Sequence, residues 1–516
     1  MSLQVLKPIR VALAILFLGA SAVMFLDLRG PVAAWVSSIV LPLQFIPSLG
    51  KSLVSLGVWT AGLAAVVLLT ALVGRVYCST ICPLGTLQDI IIHHAEKKKR
   101  RRYRYDRPRY ALHYAVGGVT LAAFLAGSLI LLNTLEPFSN FGRMADALMR
   151  PLVMGLNNGI AMAGSMAGVQ TLQPVPFHLP GLWIFLAALA ALGGIGYLSY
   201  RHGRLFCNTL CPAGALLSLL SRVSLFRIVI DEETCLECGL CEKVCKAACI
   251  DADNKKVDYA ACVACFNCIT ACPTVGLKYA GFGGKMIGAA AQRPVNASRR
   301  RFVSGGMATF AGALAVPTDS LMIRAAQAGI GARPVTPPGS IGIDHFSGRC
   351  TACHLCVSVC PTQVLRPALF DYGIAGILQP RMDYWTYYCT YDCVLCSTVC
   401  PSGAILPLTQ DQKKDVQIGT ARFVKEDCIV ETKKKDCGAC AEHCPTKAVR
   451  MVPYGALMIP ELTNELCVGC GACEHACPTT PLKAIFVVAS DPHGRAKRPV
   501  IEKAVPAEQV PAEFPF

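Results

Sequence analysis

Charge is scarce in this sequence. Only 16% of its 516 residues are Asp, Glu, Lys or Arg, while 53% are hydrophobic. A mean hydropathy of +0.46 is too high for an ordinary soluble chain of this length. Acidic residues are the scarcer sign, 33 against 49 basic, which leaves a formal net charge of +16. Such an excess suggests a nucleic-acid surface, but its distribution excludes one. Residues 332–516 hold 18 Lys+Arg and 18 Asp+Glu. The excess therefore lies upstream, much of it in one run, 97–109, between two apolar stretches. A basic run in that position reads as a cytoplasmic loop of a membrane protein. An even number of cysteines is lacking too: 29 thiols cannot all pair as disulfides within the chain.

Four apolar segments, 8–26, 52–73, 110–132 and 181–200, approach or reach the ~20 residues that cross a bilayer. Arg10 is the one charged residue within them. Lys7 and Arg10 place the N-terminus inside, along with residues 75–109 and everything after Arg201. Loops 27–51 and 133–180 are then outside, the second with Pro-rich ends that suit partial re-entry.

Twenty-four cysteines fall into six groups of four. Cys235, Cys238, Cys241 and Cys245 form the first, and Cys262, Cys265, Cys268 and Cys272 the second. Three cysteines at every third position let one short loop wrap three corners of a cubane, and the fourth serves the other cluster of the pair. Cys272 is thus expected with the first triplet and Cys245 with the second. Proline follows Cys272, but Lys246 follows Cys245, and Cys249 is left over as a buried thiol. The later groups are Cys350, Cys353, Cys356 and Cys360; Cys389, Cys393, Cys396 and Cys400; Cys428, Cys437, Cys440 and Cys444; and Cys467, Cys470, Cys473 and Cys477. Each ends in Cys-Pro. Their spacing leaves sequential and nested pairing equally open. Zinc prefers two separated ligand pairs, which fits these triplets poorly. The Cys350-Thr351-Ala352-Cys353-His354 haem-attachment pattern lies wholly inside a cubane group. The cofactors expected are six [4Fe-4S] clusters.

Four more cysteines occur in a motif present twice. Arg75-Val76-Tyr77-Cys78-Ser79-Thr80-Ile81-Cys82-Pro83-Leu84-Gly85 follows the second apolar segment, and Arg204-Leu205-Phe206-Cys207-Asn208-Thr209-Leu210-Cys211-Pro212-Ala213-Gly214 follows the fourth. The membrane part therefore reads as a duplicated two-span unit. On a helix, cysteines four apart share a face, so Cys78, Cys82, Cys207 and Cys211 could converge at the inner surface as a further metal centre or as dithiols. Finally, Ser298-Arg299-Arg300-Arg301-Phe302-Val303 precedes an uncharged stretch to Thr318. It has the form of a twin-arginine export signal, read here as an uncut fifth span.

These residues resemble a known pair of proteins. The chain up to about residue 280 is similar to the NapH-type membrane quinol dehydrogenase subunit, including the segment Leu135-Glu136-Pro137-Phe138-Ser139-Asn140-Phe141-Gly142-Arg143. From about residue 298 it is similar to the NapG-type periplasmic ferredoxin, including Pro337-Pro338-Gly339-Ser340-Ile341. The same membrane module serves nitrous oxide reduction, methylamine oxidation and copper-oxidase assembly. The resemblance implies a bacterial inner-membrane protein with α+β ferredoxin-like polycluster domains on both sides. It divides into a four-span domain (1–221), a cytoplasmic two-cluster domain (222–280), a linker (281–297), the signal or fifth span (298–328) and a periplasmic four-cluster domain (329–516). It further implies menaquinol or ubiquinol oxidation, with electrons passed to a periplasmic reductase or c-type cytochrome in anaerobic respiration. An electron-donating assembly factor for a periplasmic metalloenzyme is the other class the module allows. Quinol oxidation releases protons, so ionisable residues beside the spans are candidates: His93, His94, His113 and His202 inside, Asp27 and Glu136 outside. The gap in this reading is physical. Clusters on two sides of ~30 Å of hydrocarbon need a bridge, either the quinol itself or a closer approach of the cysteine motifs.

Overall fold

The computed structural model describes residues 3–53, 57–99, 104–106, 109–168, 172–177, 179–274, 276–281 and 333–498. The linker from 282, the twin-arginine segment and the proposed fifth span lie outside the described residues.

The apolar segments fold as helices, because only internal hydrogen bonding satisfies a backbone surrounded by apolar side chains. Helices α1 (Leu6–Leu26) and α11 (Leu182–His202) have 21 residues each. Among the described residues they are the two single helices long and apolar enough to cross a membrane. The second and third expected spans are shorter. Helix α4 (Val58–Val73) has 16 residues, and α7 (Tyr110–Leu125) stops before a separate turn of helix, α8 (Ile130–Leu135).

The loop expected outside at 27–51 is instead a bent pair of helices, α2 (Pro31–Val40) with its short extension to Leu43, then α3 (Phe45–Ser52), kinked by 86°. Its bend turns back into the protein. Gln44 Nε2 donates to the Ile81 carbonyl at 3.3 Å, and the Phe45 N–H donates to the Tyr77 hydroxyl at 3.1 Å. Helix α9 (Pro137–Met144) of the second loop packs likewise against α6 (Pro83–Lys99) and α11. Both loops thus approach the twin cysteine motifs.

The ferredoxin-type blocks cap opposite ends of α1. At its N-terminal end, β1 (Arg227–Ile230) and β4 (Leu277–Ala280) pair antiparallel, beside the small ladder of β2 (Ile250–Asp251) and β3 (Lys256–Val257). Lys7 reaches Thr270 in this block, and the Leu225 and Phe226 N–H groups donate to the Ala71 and Leu72 carbonyls at the end of α4. At the other end, Phe25 packs on Phe138 and Phe141 with ring centroids 5.7 and 6.1 Å apart. There the C-terminal block meets the helices. It holds three antiparallel pairs: β5 (Leu365–Pro367) with β6 (Pro380–Met382), β7 (Val416–Phe423) with β10 (Ile485–Arg495), and β8 (Val449–Tyr454) with β9 (Leu457–Leu462). At ~1.5 Å rise per residue, α1 separates the blocks by about a bilayer core.

One buried carboxylate fastens the first block. Asp89 on α6 lies 2.8 Å from Arg10, 2.9 Å from Arg204 and 3.4 Å from Lys246. Burial opposes its ionisation, yet Arg204, Lys246 and Arg10 hold its carboxyl below the usual range. Lys246 stands where the other groups have proline; that departure gives the ferredoxin loop its ion pair with the helical body, and the Lys246 carbonyl accepts from the Arg204 N–H at 2.9 Å. Asp89→Ala leaves three cations buried without their partner. We expect a loss of about 3–5 kcal/mol, read as a lower unfolding temperature in detergent and faster proteolytic release of the first block, with Asp89→Glu milder.

Candidate functional site

In four of the six triplets the residues on both sides of the middle cysteine are left-handed: Glu237 and Gly239, Ala264 and Phe266, Ala352 and His354, Gly469 and Gly471. Reversing the winding on each side curls the loop about one centre and aims its amides inward. The two groups with a longer first gap, at 389–396 and 428–440, show no such pair; their extra residues allow the turn without it.

The fourth cysteines are exchanged as expected in the first block. Cys272 lines one hollow with Cys235, Cys238 and Cys241, and Cys245 lines another with Cys262, Cys265 and Cys268. The C-terminal block repeats the exchange in sequential order. Cys360 joins Cys389, Cys393 and Cys396, and Cys477 joins Cys428, Cys437 and Cys440. Cys400 falls beside Cys350, Cys353 and Cys356, and Cys444 beside Cys467, Cys470 and Cys473. Among the described residues no three His, Cys, Asp or Glu side chains close on a single metal ion. Loops that wrap a volume with thiols and amides fit a cluster of several iron atoms.

The fourth cysteines share a donor. In each Cys-Pro-Thr or Cys-Pro-Ser, the hydroxyl two residues on meets the sulfur: Thr274 at 3.8 Å, Thr362, Ser402 and Thr446 at 3.7 Å, and Thr479 at 3.2 Å. Cys245 has Ala247 at that place, and the leftover thiol of Cys249 lies 3.5 Å from its sulfur instead. Cys249 thus replaces a missing hydroxyl.

The twin motifs form a crossed pair. Arg75 and Arg204 are fully buried. Arg75 Nη2 donates to the Cys207 carbonyl at 3.0 Å, and Arg204 Nη1 donates to the Cys78 carbonyl at 3.0 Å. Each also faces the first sulfur of its own motif, Arg75 to Cys78 at 4.0 Å and Arg204 to Cys207 at 3.8 Å. The cysteines do not sit four apart on one helix. α5 (Tyr77–Thr80) and α12 (Leu205–Thr209) both stop before the second cysteine. Cys82 then leads into α6 and Cys211 into α13 (Pro212–Ser221), their sulfurs accepting from the Gly85 and Gly214 N–H groups at 3.4 and 3.3 Å. A Cβ at Gly85 would stand 2.2 Å from the Cys78 carbonyl and 2.7 Å from Arg204 Nη1, and one at Gly214 2.3 Å from the Cys207 carbonyl and 3.0 Å from Arg75 Nη2, so each glycine makes room for its own motif's cysteine carbonyl and for the opposite arginine that donates to it.

This pair lies between the cluster blocks. Arg75 Nη1 donates to the Ala260 carbonyl at 2.8 Å, on the loop entering Cys262. Toward the other block, Tyr77 donates to Gln44 at 3.2 Å, and Gly142 approaches so closely that a Cβ there would stand 2.4 Å from the Cys353 carbonyl. One continuous buried core contains Cys265, the four twin-motif cysteines and Cys353. Lys51 Nζ donates to the Cys400 carbonyl at 2.8 Å, and Arg150 donates to the Ser358 carbonyl. Beyond this contact the Cys389 N–H donates to the Cys470 carbonyl at 2.9 Å, joining the two halves of the C-terminal block and leaving the Cys428–Cys477 hollow at its far end.

The proton-acceptor candidates are not gathered into one site. His93, His94 and His202 are exposed. His113 is buried against Tyr114 and the Cys211 backbone. Asp27 accepts from Arg29 and Ala33 N–H groups, opening α2. Glu136 is buried and caps α9, accepting from the Phe138 N–H at 3.0 Å and from that of Ser139. Burial raises its carboxyl above the usual range against those bonds and Arg143.

A family model described as a 4Fe-4S binding domain matches residues 56–102 and 180–230, the two twin-motif segments. Models described as 4Fe-4S dicluster domains match 349–405 and 433–480. The ferredoxin-type protein MauN of Methylorubrum extorquens is 30% identical over 240 residues, covering 45% of this chain and 70% of that protein. The chain belongs to the MauN family of ferredoxin-type proteins. Its other relatives include MauM of Methylobacillus flagellatus, 29% identical over 146 residues (26% of this chain, 59% of that one). Another is the ferredoxin-type protein NapG of Escherichia coli, 29% identical over 155 residues (30% of this chain, 65% of that one). The chain spans less than two thirds of the length of the first curated relatives it matches. No solved structure matches it. The NapH-type and NapG-type resemblance of the sequence thus holds, and the chain carries 4Fe-4S binding and dicluster domains.

Hydrogen bonds to cluster sulfurs help set the potential. We expect Cys249→Ala to lower the midpoint potential of one centre, in a redox titration followed by electron paramagnetic resonance, and Cys249→Ser to restore it.

Proposed function

We propose that this protein is a membrane-bound quinol dehydrogenase that passes electrons through six [4Fe-4S] clusters to a periplasmic reductase or c-type cytochrome, as in a nitrate-reductase-like system. The observation that carries the reading is the single buried core from Cys265 through the twin cysteine motifs to Cys353. It supports the closer approach of the cysteine motifs as the bridge between the two blocks. On this reading the blocks at the two ends of α1 stand on the two sides of the membrane, the first inside and the C-terminal one outside.

The clusters, held by the six cysteine groups, would supply one-electron storage. The protein's own part is to hold them in line and exclude water between them. Four thiols and two permanently charged guanidiniums in the crossed pair suit a seventh redox site of the dithiol kind, because Arg75 and Arg204 offset negative charge that burial would otherwise oppose. The Cys428–Cys477 end, farthest from the helices, is where an acceptor would dock.

The reading is tested with the chain in lipid nanodiscs and a menaquinol analogue as donor. Steady bleaching of the visible iron–sulfur absorption is expected. In Cys78→Ser/Cys207→Ser, electron exchange between the two blocks should fall at least tenfold with cluster content retained. Reduction by low-potential soluble donors alone, with none by quinol, would favour the assembly-factor class instead.

A further inference from the structure

Resting on the quinol reading, the structure assigns the quinol headgroup a site that none of the sequence candidates occupies. A cleft of about 240 Å³ opens where the C-terminal block meets the helical body. One wall comes from the helices and the other from the loop and strands that follow Cys356. Ligand pockets of this kind combine an apolar lining with a few converging polar groups, and this one does so.

The apolar part suits an isoprenoid. Met154, Leu179 and Ile184 line the cleft around Gly181, where membrane-long α11 begins. Leu179 and Leu182 are 66% exposed, so a tail leaving here passes directly onto lipid-facing surface. The volume accommodates a ring headgroup rather than a whole prenyl quinol.

The polar part suits the ring oxygens. Asp146 and Arg150 face the cleft from the helical side, and Arg366, Arg381 and Asp383 from the ferredoxin side. A ring between the walls can present one hydroxyl to each. Asp146 lies in the π-helical turn Ala145–Met149 between α9 and α10 (Arg150–Met166), and such turns recur at functional sites. Its two oxygens lie against the cluster loop: His354 Nδ1 stands 3.3 Å from one, and the Ser358 hydroxyl, which also meets the His354 carbonyl at 3.1 Å, lies 3.4 Å from the other. The carboxylate is thus tied to the residues between Cys353 and Cys360 while lining the cleft. Val357, beside Cys356, forms part of the same wall.

The reaction balances as follows. Quinol loses both O–H hydrogens as two protons, the first to the Asp146 carboxylate and the second to water at the open mouth of the cleft. Its two electrons would leave singly to an iron–sulfur cluster held by Cys350, Cys353, Cys356 and Cys400, of which Cys353 lies in the core shared with the twin motifs and Cys265. Quinone leaves by the lipid side.

The test is photolabelling of the full chain in nanodiscs with an azidoquinone, followed by peptide mapping. Saturable label, competed by unlabelled menaquinone analogue, is expected within 146–154 and 357–383. Met154→Trp should abolish that label with iron content unchanged. Asp146→Asn should keep it and lower quinol oxidation about a hundredfold, the scale of a lost general base. Competed label confined to peptides bearing His93 or His202 would overturn this location and leave the quinol reading standing. Absence of any competed label, together with no reduction by quinol, would overturn both.

Discussion

A guanidinium stays charged in a protein wherever it is put, and this fold puts two of them where water does not reach. Arg75 and Arg204 each donate to the other repeat's cysteine carbonyl. Neither motif can therefore bury its arginine without its twin. That reciprocity fixes the two helix pairs against each other, and the glycine three residues after each second cysteine has no room for a side chain between its own motif's cysteine carbonyl and the opposite arginine. The rest hangs on this crossing: Arg75 reaches the first ferredoxin block through Ala260, and Arg204 reaches Asp89, whose other partners are Arg10 and Lys246.

The crossing also lies within one buried core that reaches both ferredoxin-type blocks. Two loops expected on one surface bend back toward it, the α2–α3 pair through Gln44 and the 133–180 loop through α9. Polar backbone at that depth is tolerated only where protein surrounds it, and here Tyr77, Ile81 and the end of α1 surround it. What reads as a membrane with clusters stranded on each side becomes a continuous protein interior.

The grouping of the cysteines is legible in the sequence because its logic is local. Triplets at three-residue intervals and the exchanged fourth cysteine follow from how far a short loop can reach, so Cys245 and Cys272 could be paired before any fold was known. Lys246 and Cys249 were visible as departures, but their reasons lie in Asp89 and in a missing hydroxyl. The pairing within the C-terminal block stayed open because both orders use the same cysteines. Helix ends were misjudged where hydropathy continues past a break, as at 126–129 between α7 and α8. The quinol candidates followed from proximity to spans, whereas the converging groups, Asp146 and Arg381 among them, meet only when a domain more than 200 residues later in the chain docks on α10. No periodicity records such a contact.

The central claim is that two iron–sulfur blocks are held at opposite ends of one helical body and joined through the crossed cysteine motifs. Cryo-electron microscopy of the anaerobically purified chain in nanodiscs tests it most directly. The account expects compact cluster densities in two groups, two beyond the Lys7 end of α1 and four beyond its Phe25 end, with the Cys353 loop seated on Gly142. A map with both groups on one side of the bilayer, or with the C-terminal block free of the helices, would contradict it.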